Sequence, residues 1–171
     1  MKAIMNRRSI RKYTSQEVND EQVKTLLQAA MCAPSAGNEQ PWQFIVIRDR
    51  KMLEQVPKYH PYSGMIKQAS VAILVCGDTR LSKYDVDYWV QDCAAATENL
   101  LLAVQALGLG AVWLGVYPRP ERIEGLRRLF NIPEEVFPFA LVPVGHPVEH
   151  KEGQDRYRKD RIHFNSWQGR R

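Results

Sequence analysis

The chain is poor in the groups that usually mark a self-sufficient catalytic centre or an exported fold. It has three cysteines, Cys32, Cys76 and Cys93, odd in number and far apart. They form no disulfide framework and no Cys-x-x-Cys pair, so thioredoxin-type chemistry and a zinc ribbon have no support. No apolar run approaches the ~20 residues of a membrane span, and the charged N-terminus lacks the apolar stretch of a secretory signal. A cytoplasmic protein with reduced thiols is the expectation. No P-loop pattern occurs. Gly108-Leu109-Gly110 follows a helical pattern, not a strand, and lacks the third glycine of a dinucleotide fingerprint, so it reads as a helix stop. His146 and His150 have helical metal-ligand spacing, but Pro147 between them argues against a helix, and no metal is expected. Glu134-Glu135 reads as a solvated face. No nucleophile–base arrangement stands out.

Carboxylates are missing from one place in particular. Residues 1–13 carry five cations and no acid, and residues 150–171 carry seven basic and three acidic side chains. Because the whole chain is +5, residues 14–149 are −4, and all the positive excess lies at the two ends. Such ends either repel or share an anion. Arg7, Arg8, Ser9 and Arg11 are natural phosphate partners, since guanidinium donors pair with its oxygens two at a time. A solvated basic terminus is the plainer alternative. A nucleic-acid face would more often spread its cations along one helix or sheet, and Tyr13, Tyr157, Phe164 and Trp167 show no RNP-like pattern.

The rest of the chain interleaves helical periodicity with apolar strands. Residues 2–8 read as a short helix. Asn19 or Asp20 caps an amphipathic helix through Val23, Leu26, Leu27 and Ala30, which stops before Pro34. A loop rich in small polar residues follows to Pro41. Strands are expected at 42–47, 71–76, 111–116 and 139–145, with Pro143 pointing to an edge or bulge position in the last. Helices are expected at 48–56, from about Asp85 to Leu107, and from Pro120 to Phe130. The longest carries Trp89, Cys93, Thr97, Leu100, Leu101 and Val104 on one stripe and is the expected core helix. Tyr84, Tyr88 and Trp89 are candidates for lining a pocket, with Trp89 better suited to the core. After His146 the chain has no clear periodicity, yet keeps three aromatics, as an arm that docks on a partner subunit would. One layered α/β or α+β domain accounts for the pattern.

Binding groups without an acid, base or nucleophile point to chemistry performed by a cofactor. A flavin mononucleotide asks for this set: cations for its phosphate, polar groups for its ribityl chain, a cation near N1/O2 and a backbone N–H near N5.

The motifs Arg7-Arg8-Ser9-Ile10-Arg11, Ala33 to Trp42, Gly108 to Gly115 and Lys159-Asp160-Arg161, in this order, resemble those of the FMN-dependent nitroreductase family over most of the chain. The resemblance implies an α+β three-layer α/β/α sandwich with a mixed, mainly antiparallel sheet. It also implies an interlocked homodimer with FMN at the subunit interface and a single domain over 1–171 whose arm begins near 148. Carried over by position, Arg7, Arg8 and Ser9 form the first phosphate-and-ribityl set, completed by Lys159 and Arg161. Arg11 faces the pyrimidine edge of the flavin. Pro34, Ser35, Asn38 and Gln40 lie in the loop that the second subunit lends to the cofactor, and Leu114 and Gly115 lie under N5. The implied activity is ping-pong hydride transfer from NADH or NADPH through FMN N5 to a nitroaromatic, quinone or other electrophilic acceptor. An FMN-storage or redox-sensing protein without turnover is the alternative. The chain is short for the family, with the helices that cover the pocket reduced.

Overall fold

The computed structural model describes residues 1–149 and 151–167. His150, weighed above as a metal partner of His146, lies outside the described residues, as do 168–171 at the end of the arm.

Local chemistry sets the helix ends. After α1 (Lys2–Asn6), Asn19 opens α2 (Asp20–Met31) with a reciprocal capping box. Its Oδ1 accepts from the Gln22 N–H at 2.8 Å, and its own N–H donates to Gln22 Oε1 at 3.0 Å. Strand β1 (Trp42–Ile47) leads to Asp49, whose carboxylate accepts from the Lys51 and Met52 N–H groups and starts α3 (Arg50–Gln55). Two 3-10 turns, Val56–Lys58 and Gly64–Gln68, then lead into β2 (Val71–Asp78). Helix α4 (Tyr88–Ala106) begins three residues later than its periodicity predicts, because Asp87 is held by the Trp89 indole N–H at 3.1 Å ahead of the first turn. Strands β3 (Gly110–Ala111) and β4 (Leu114–Gly115), helix α5 (Pro120–Phe130) and strand β5 (Val136–Gly145) follow.

The sheet runs β1-β2-β5-β3, with β4 also on β5, and these ladders are antiparallel. A parallel bridge from Ser9 to Ala111 adds the basic N-terminal segment at the β3 edge. All eight residues of β2 are buried, which requires cover on both faces. Val71, Ile73 and Val75 pack with α2 and α4, while Ala72, Leu74 and Cys76 pack with Leu53 of α3 and Ile123 and Leu126 of α5. This is the expected three-layer arrangement. Each fully buried aliphatic side chain contributes roughly 1.5–3 kcal/mol. No helix among the described residues is long and apolar enough to cross a membrane.

Two features differ from the expectation. Strand β5 is central, not an edge, despite Pro143. Ser70 N–H donates to the Val144 carbonyl at 3.1 Å, so Val144 faces β2 and Pro143, one residue away, faces the other side. The register places Val112 opposite Pro143, and there the predicted third strand breaks into β3 and β4. The missing N–H thus interrupts the neighbouring strand without excluding Pro143 from the sheet's centre. The irregularity in β5 falls instead at Phe139, skipped in the pairing with β2, whose carbonyl accepts from both the Val116 and Tyr117 N–H groups.

Gly77 shows how tightly α4 lies on the sheet: a Cβ there would collide with the Trp89 ring. Trp89 is 3 % exposed and belongs to the core. We expect Gly77→Ala to lower stability by about 1–3 kcal/mol through overpacking, read as a shift in the urea unfolding midpoint at constant slope.

Candidate functional site

Three groups of predicted residues occupy distinct places. The first is the basic N-terminal segment. Ile10 N–H donates to the Ala111 carbonyl at 2.8 Å, which fastens the chain to the sheet edge just after Ser9. Arg7 is half-buried and pairs with Glu98 of α4 at 3.3 Å. Arg8 donates from Nε to the Glu152 carbonyl at 2.9 Å and from Nη1 to the Met5 and Arg7 carbonyls, while its Nη2 is buried without a partner. Lys151 donates to the Ser9 carbonyl at 3.2 Å, so the start of the arm lies against the N-terminus. A cavity of about 360 Å³ opens between them, lined by Arg7, Arg8, Asp155, Arg156 and Tyr157 among others. Arg11 is exposed, and its guanidinium makes no hydrogen bond or ion pair among the described residues. Lys159 and Arg161 sit in a 3-10 turn and make no side-chain bond to Arg7, Arg8 or Ser9.

The second group is the loop 34–41. Gly37, Asn38 and Gln40 all have φ near +50°. Glycine and asparagine tolerate this region, whereas glutamine is held there at a cost of about 1–3 kcal/mol. Hydrogen bonds that involve side chains hold the shape. Gln40 N–H donates to Ser35 Oγ at 3.1 Å, and Gln40 Nε2 donates to Asn38 Oδ1 at 2.8 Å. Ala36 N–H donates to Asp92 Oδ1 of α4 at 3.0 Å, and Lys83 Nζ donates to the Gly37 carbonyl at 2.8 Å. Pro34, Asn38 and Gln40 are exposed, so the strained loop presents its polar groups outward. Tyr84 lies against Gly37 and edge-on to Tyr88, with both rings partly exposed beside the loop.

The third group is the sheet edge at β4. Ala111 turns its carbonyl away from β5 to meet Ile10, so strict alternation also turns Gly115 outward. Its carbonyl confirms the direction, accepting from Arg122 Nη1 of α5 at 2.6 Å with His60 Nε2 at 3.0 Å. Leu114 is buried and pairs with Leu141. A Cβ at Gly115 would meet nothing within 4 Å. His60 is 2 % exposed. Burial first and the Arg122 charge second hold its pKa below the usual histidine value, against the pull of the Gly115 carbonyl. Its Nε2 is also 3.3 Å from Arg122 Nη1. A neutral ring with the proton on Nε2 satisfies Gly115 and leaves Nδ1 unpartnered, as found.

Within one chain the structure unites Arg7, Arg8 and Ser9 with the start of the arm, and Ser35, Asn38 and Gln40 with one another. It does not unite the two sets. Their anchors on α4, Glu98 and Asp92, are six residues apart, about 9 Å along the helix and about 120° around it. A larger cleft of about 820 Å³ beside Tyr13, Val18, Arg48, Arg50 and Ser70 holds none of the predicted residues. Its arginines are already bonded, Arg48 to the Val18 carbonyl and Asp20, Arg50 to the Lys67 and Ala69 carbonyls. Sequence reasoning missed Glu39, His60, Asp92 and Arg122. Only Asp92 left a sign, as a carboxylate beside the apolar stripe of α4.

The model of the nitroreductase family matches residues 4–146. The chain belongs to the nitroreductase family. A protein of Methanothermobacter thermautotrophicus, provisionally named an NADH dehydrogenase/NAD(P)H nitroreductase, is 54 % identical over 98 % of this chain and 87 % of its own. A crystal structure from Parabacteroides distasonis with the same provisional name superposes with a TM-score of 0.92 at 42 % identity, covering 97 % of both chains. A provisionally named nitroreductase of Desulfovibrio desulfuricans, solved in complex with FMN, gives 0.82 at 36 % identity, covering 94 % of this chain and 93 % of that one.

The folded state keeps His60 neutral, so the stability it contributes is present above pH ~6.5 and lost as pH falls through the lowered pKa. We expect its ring resonances to titrate below the ordinary histidine midpoint, and His60→Gln to flatten the acid side of the stability profile. An ordinary midpoint counts against a ring buried beside the Arg122 charge.

Proposed function

We propose that the protein is an FMN-dependent NAD(P)H oxidoreductase that passes reducing equivalents to a nitroaromatic, quinone or other electrophilic small molecule. The observation that carries this reading is the unpartnered, buried Arg8 Nη2 beside the cavity between the N-terminal segment and the arm. A donor that its own chain leaves unbonded there suits an anion. From Ala111, next to Ser9, to Gly115 is four residues along the sheet edge, about 13 Å. That separation suits an elongated ligand with a phosphate at one end and a flat ring at the other. The donor set therefore fits FMN. The names of the relatives, one for NAD(P)H and one for an FMN complex, support the same assignment.

FMN, when bound, supplies the hydride-accepting and hydride-donating chemistry that no side-chain arrangement in this chain provides. Arg7, Arg8 and Ser9 would hold the phosphate, with Lys159 and Arg161 of the arm completing its set of cations. The Arg11 guanidinium, unbonded among the described residues, would serve the pyrimidine edge, where a preoriented cation stabilises a developing anion. Gly115 would offer its N–H to the ring, Leu114 holds it in the ladder, and His60 and Arg122 fix its carbonyl on the same outward side. Pro34, Ser35, Asn38 and Gln40 come from a second copy of the chain, since their own loop lies on another side of α4. The exposed Tyr157 and Trp167, at 66 % and 80 %, suit an arm that covers that second copy. We place the whole chain in one domain, with its arm starting near 148. Three unpaired cysteines suit a cytoplasmic location.

The deciding experiment is the visible spectrum of the purified protein before and after anaerobic NADH or NADPH. A flavin band that bleaches is expected, and absence of the band even after FMN is added defeats the proposal. Arg8→Ala should weaken FMN retention roughly 10–100-fold, the equivalent of one charge-assisted bond of about 1.5–3 kcal/mol, measured by ultrafiltration. Arg11→Ala should instead lower the flavin reduction potential with a smaller effect on affinity. Light scattering that finds a monomer with FMN still bound would contradict the shared site.

A further inference from the structure

Two carboxyl groups tie the loop 34–41 to α4. Glu39 and Asp92 are 7 % and 5 % exposed. Each has committed one oxygen to the main chain: Lys83 N–H donates to Glu39 Oε2 at 2.8 Å, and Ala36 N–H donates to Asp92 Oδ1 at 3.0 Å. The remaining oxygens, Glu39 Oε1 and Asp92 Oδ2, are buried and have no donor. Both orphan oxygens lie where the loop meets α4, since Ala36, three residues before Glu39, is itself bonded to Asp92. Two ionised carboxylates in that position would repel at low dielectric with nothing between them. A single proton converts the clash into a charge-assisted O–H···O bond and satisfies both orphan oxygens together.

The surroundings offer no competing donor among the described residues. From the segment before α4, the Lys83 ammonium is engaged with the Gly37 carbonyl, and Tyr84 packs against Gly37. Asp87 is bound by the Trp89 indole. On α4 and β2, Cys93 donates to the Cys76 carbonyl at 3.5 Å, and both thiols are pushed up mainly by burial. At the end of β2, Asp78 is paired with Arg80 and joins the loop only through its N–H to the Pro41 carbonyl. Burial acts first to raise the Asp92 carboxyl, the Ala36 N–H opposes it, and Glu39 raises it again through its hydrogen bond and charge.

We infer that Glu39 and Asp92 share one proton, and that this acid pair is a positioning device holding the loop 35–40, with Gly37, Asn38 and Gln40 left-handed, in the conformation that reaches the cofactor. The second half rests on the reading of this loop as part of the FMN site. The loop needs such a restraint because Gln40 sits in a region that glutamine avoids. The two bonded N–H groups, at Ala36 and Lys83, fix the loop's start and the segment packed on its far side.

The sign follows from linkage. The closed loop keeps one proton that the open, solvated loop releases above the ordinary carboxylate range. Closure is therefore fully favoured at low pH and lost as pH rises. Between the ordinary carboxylate pKa and the raised one, the closed-to-open ratio falls about tenfold per pH unit. Glu39→Gln puts an amide N–H where the shared proton stood and keeps a carbonyl for the Lys83 N–H, so it should hold the loop closed independently of pH. Glu39→Ala leaves Asp92 buried and alone and should open the loop throughout.

The test is amide hydrogen exchange at Ala36 and Lys83, followed by NMR from pH 5 to 8 with and without FMN and corrected for intrinsic exchange. Flavin retention is measured on the same samples. Wild-type protection that falls with pH by up to tenfold per unit, and a flat profile in Glu39→Gln, support the shared proton. Identical profiles in the two proteins overturn it. Retention that follows protection supports the positioning role. A pH-dependent loop whose opening leaves flavin retention unchanged keeps the proton but overturns that role, and with it this loop's place in the FMN site.

Discussion

The constraint on which the molecule depends is that β2 and β5 form a sheet centre buried on both faces. A strand with eight consecutive buried residues has no polar face to offer water, so helices must cover it above and below. The layers of α2 and α4 on one side and α3 and α5 on the other follow from that need. So does the position of the site. With both faces of the centre sealed, unpaired main-chain donors remain at the edges, and the N-terminal segment and β4 meet on one of them. The ladder break opposite Pro143 leaves β4 a short strand, whose outward face is free to meet something other than another strand.

Charge is distributed to match. The middle of the chain is net negative while both ends are positive, and α4 supplies part of the negative balance where the ends come in. Glu98 steadies Arg7 from the helix, and the Glu152 carbonyl steadies Arg8 from the arm. These contacts hold the arginines apart from one another without neutralising all their donors. A half-exposed ion pair such as Arg7–Glu98 contributes little stability by itself. Its effect is to orient a side chain that self-repulsion would otherwise scatter.

The loop 34–41 illustrates a different balance. Its left-handed residues are unfavourable in isolation, and the structure holds them by hydrogen bonds from inside the loop and from α4. Restraint of this kind makes a loop rigid where rigidity is useful, since polar groups held in place lose less entropy on meeting a ligand. The same economy operates at Gly115, whose carbonyl is held by His60 and Arg122 from the opposite layer. Loop and strand edge are thus both positioned by side chains from neighbouring elements.

Periodicity and turn chemistry alone determined most of the scaffold. The capping signal at Asn19, the Pro34 stop, the apolar runs at 42–47 and 71–76 and the Pro120 start all depend on neighbours within a few residues, and the folded chain reproduces them. The concentration of arginines at the N-terminus and the polar residues between Pro34 and Pro41 were legible for the same reason. Tertiary structure decided what depends on distant partners. It made β5 central despite Pro143, because only the fold reveals which side of a strand a missing N–H faces. It brought His60 to Gly115, 55 residues on, and the loop of Glu39 to Asp92, 56 residues on from Ala36, and neither meeting has a local signature. It also showed the arginine cluster and the polar loop on different sides of α4, a separation invisible to motif order because two residues near in sequence on a helix can face opposite ways.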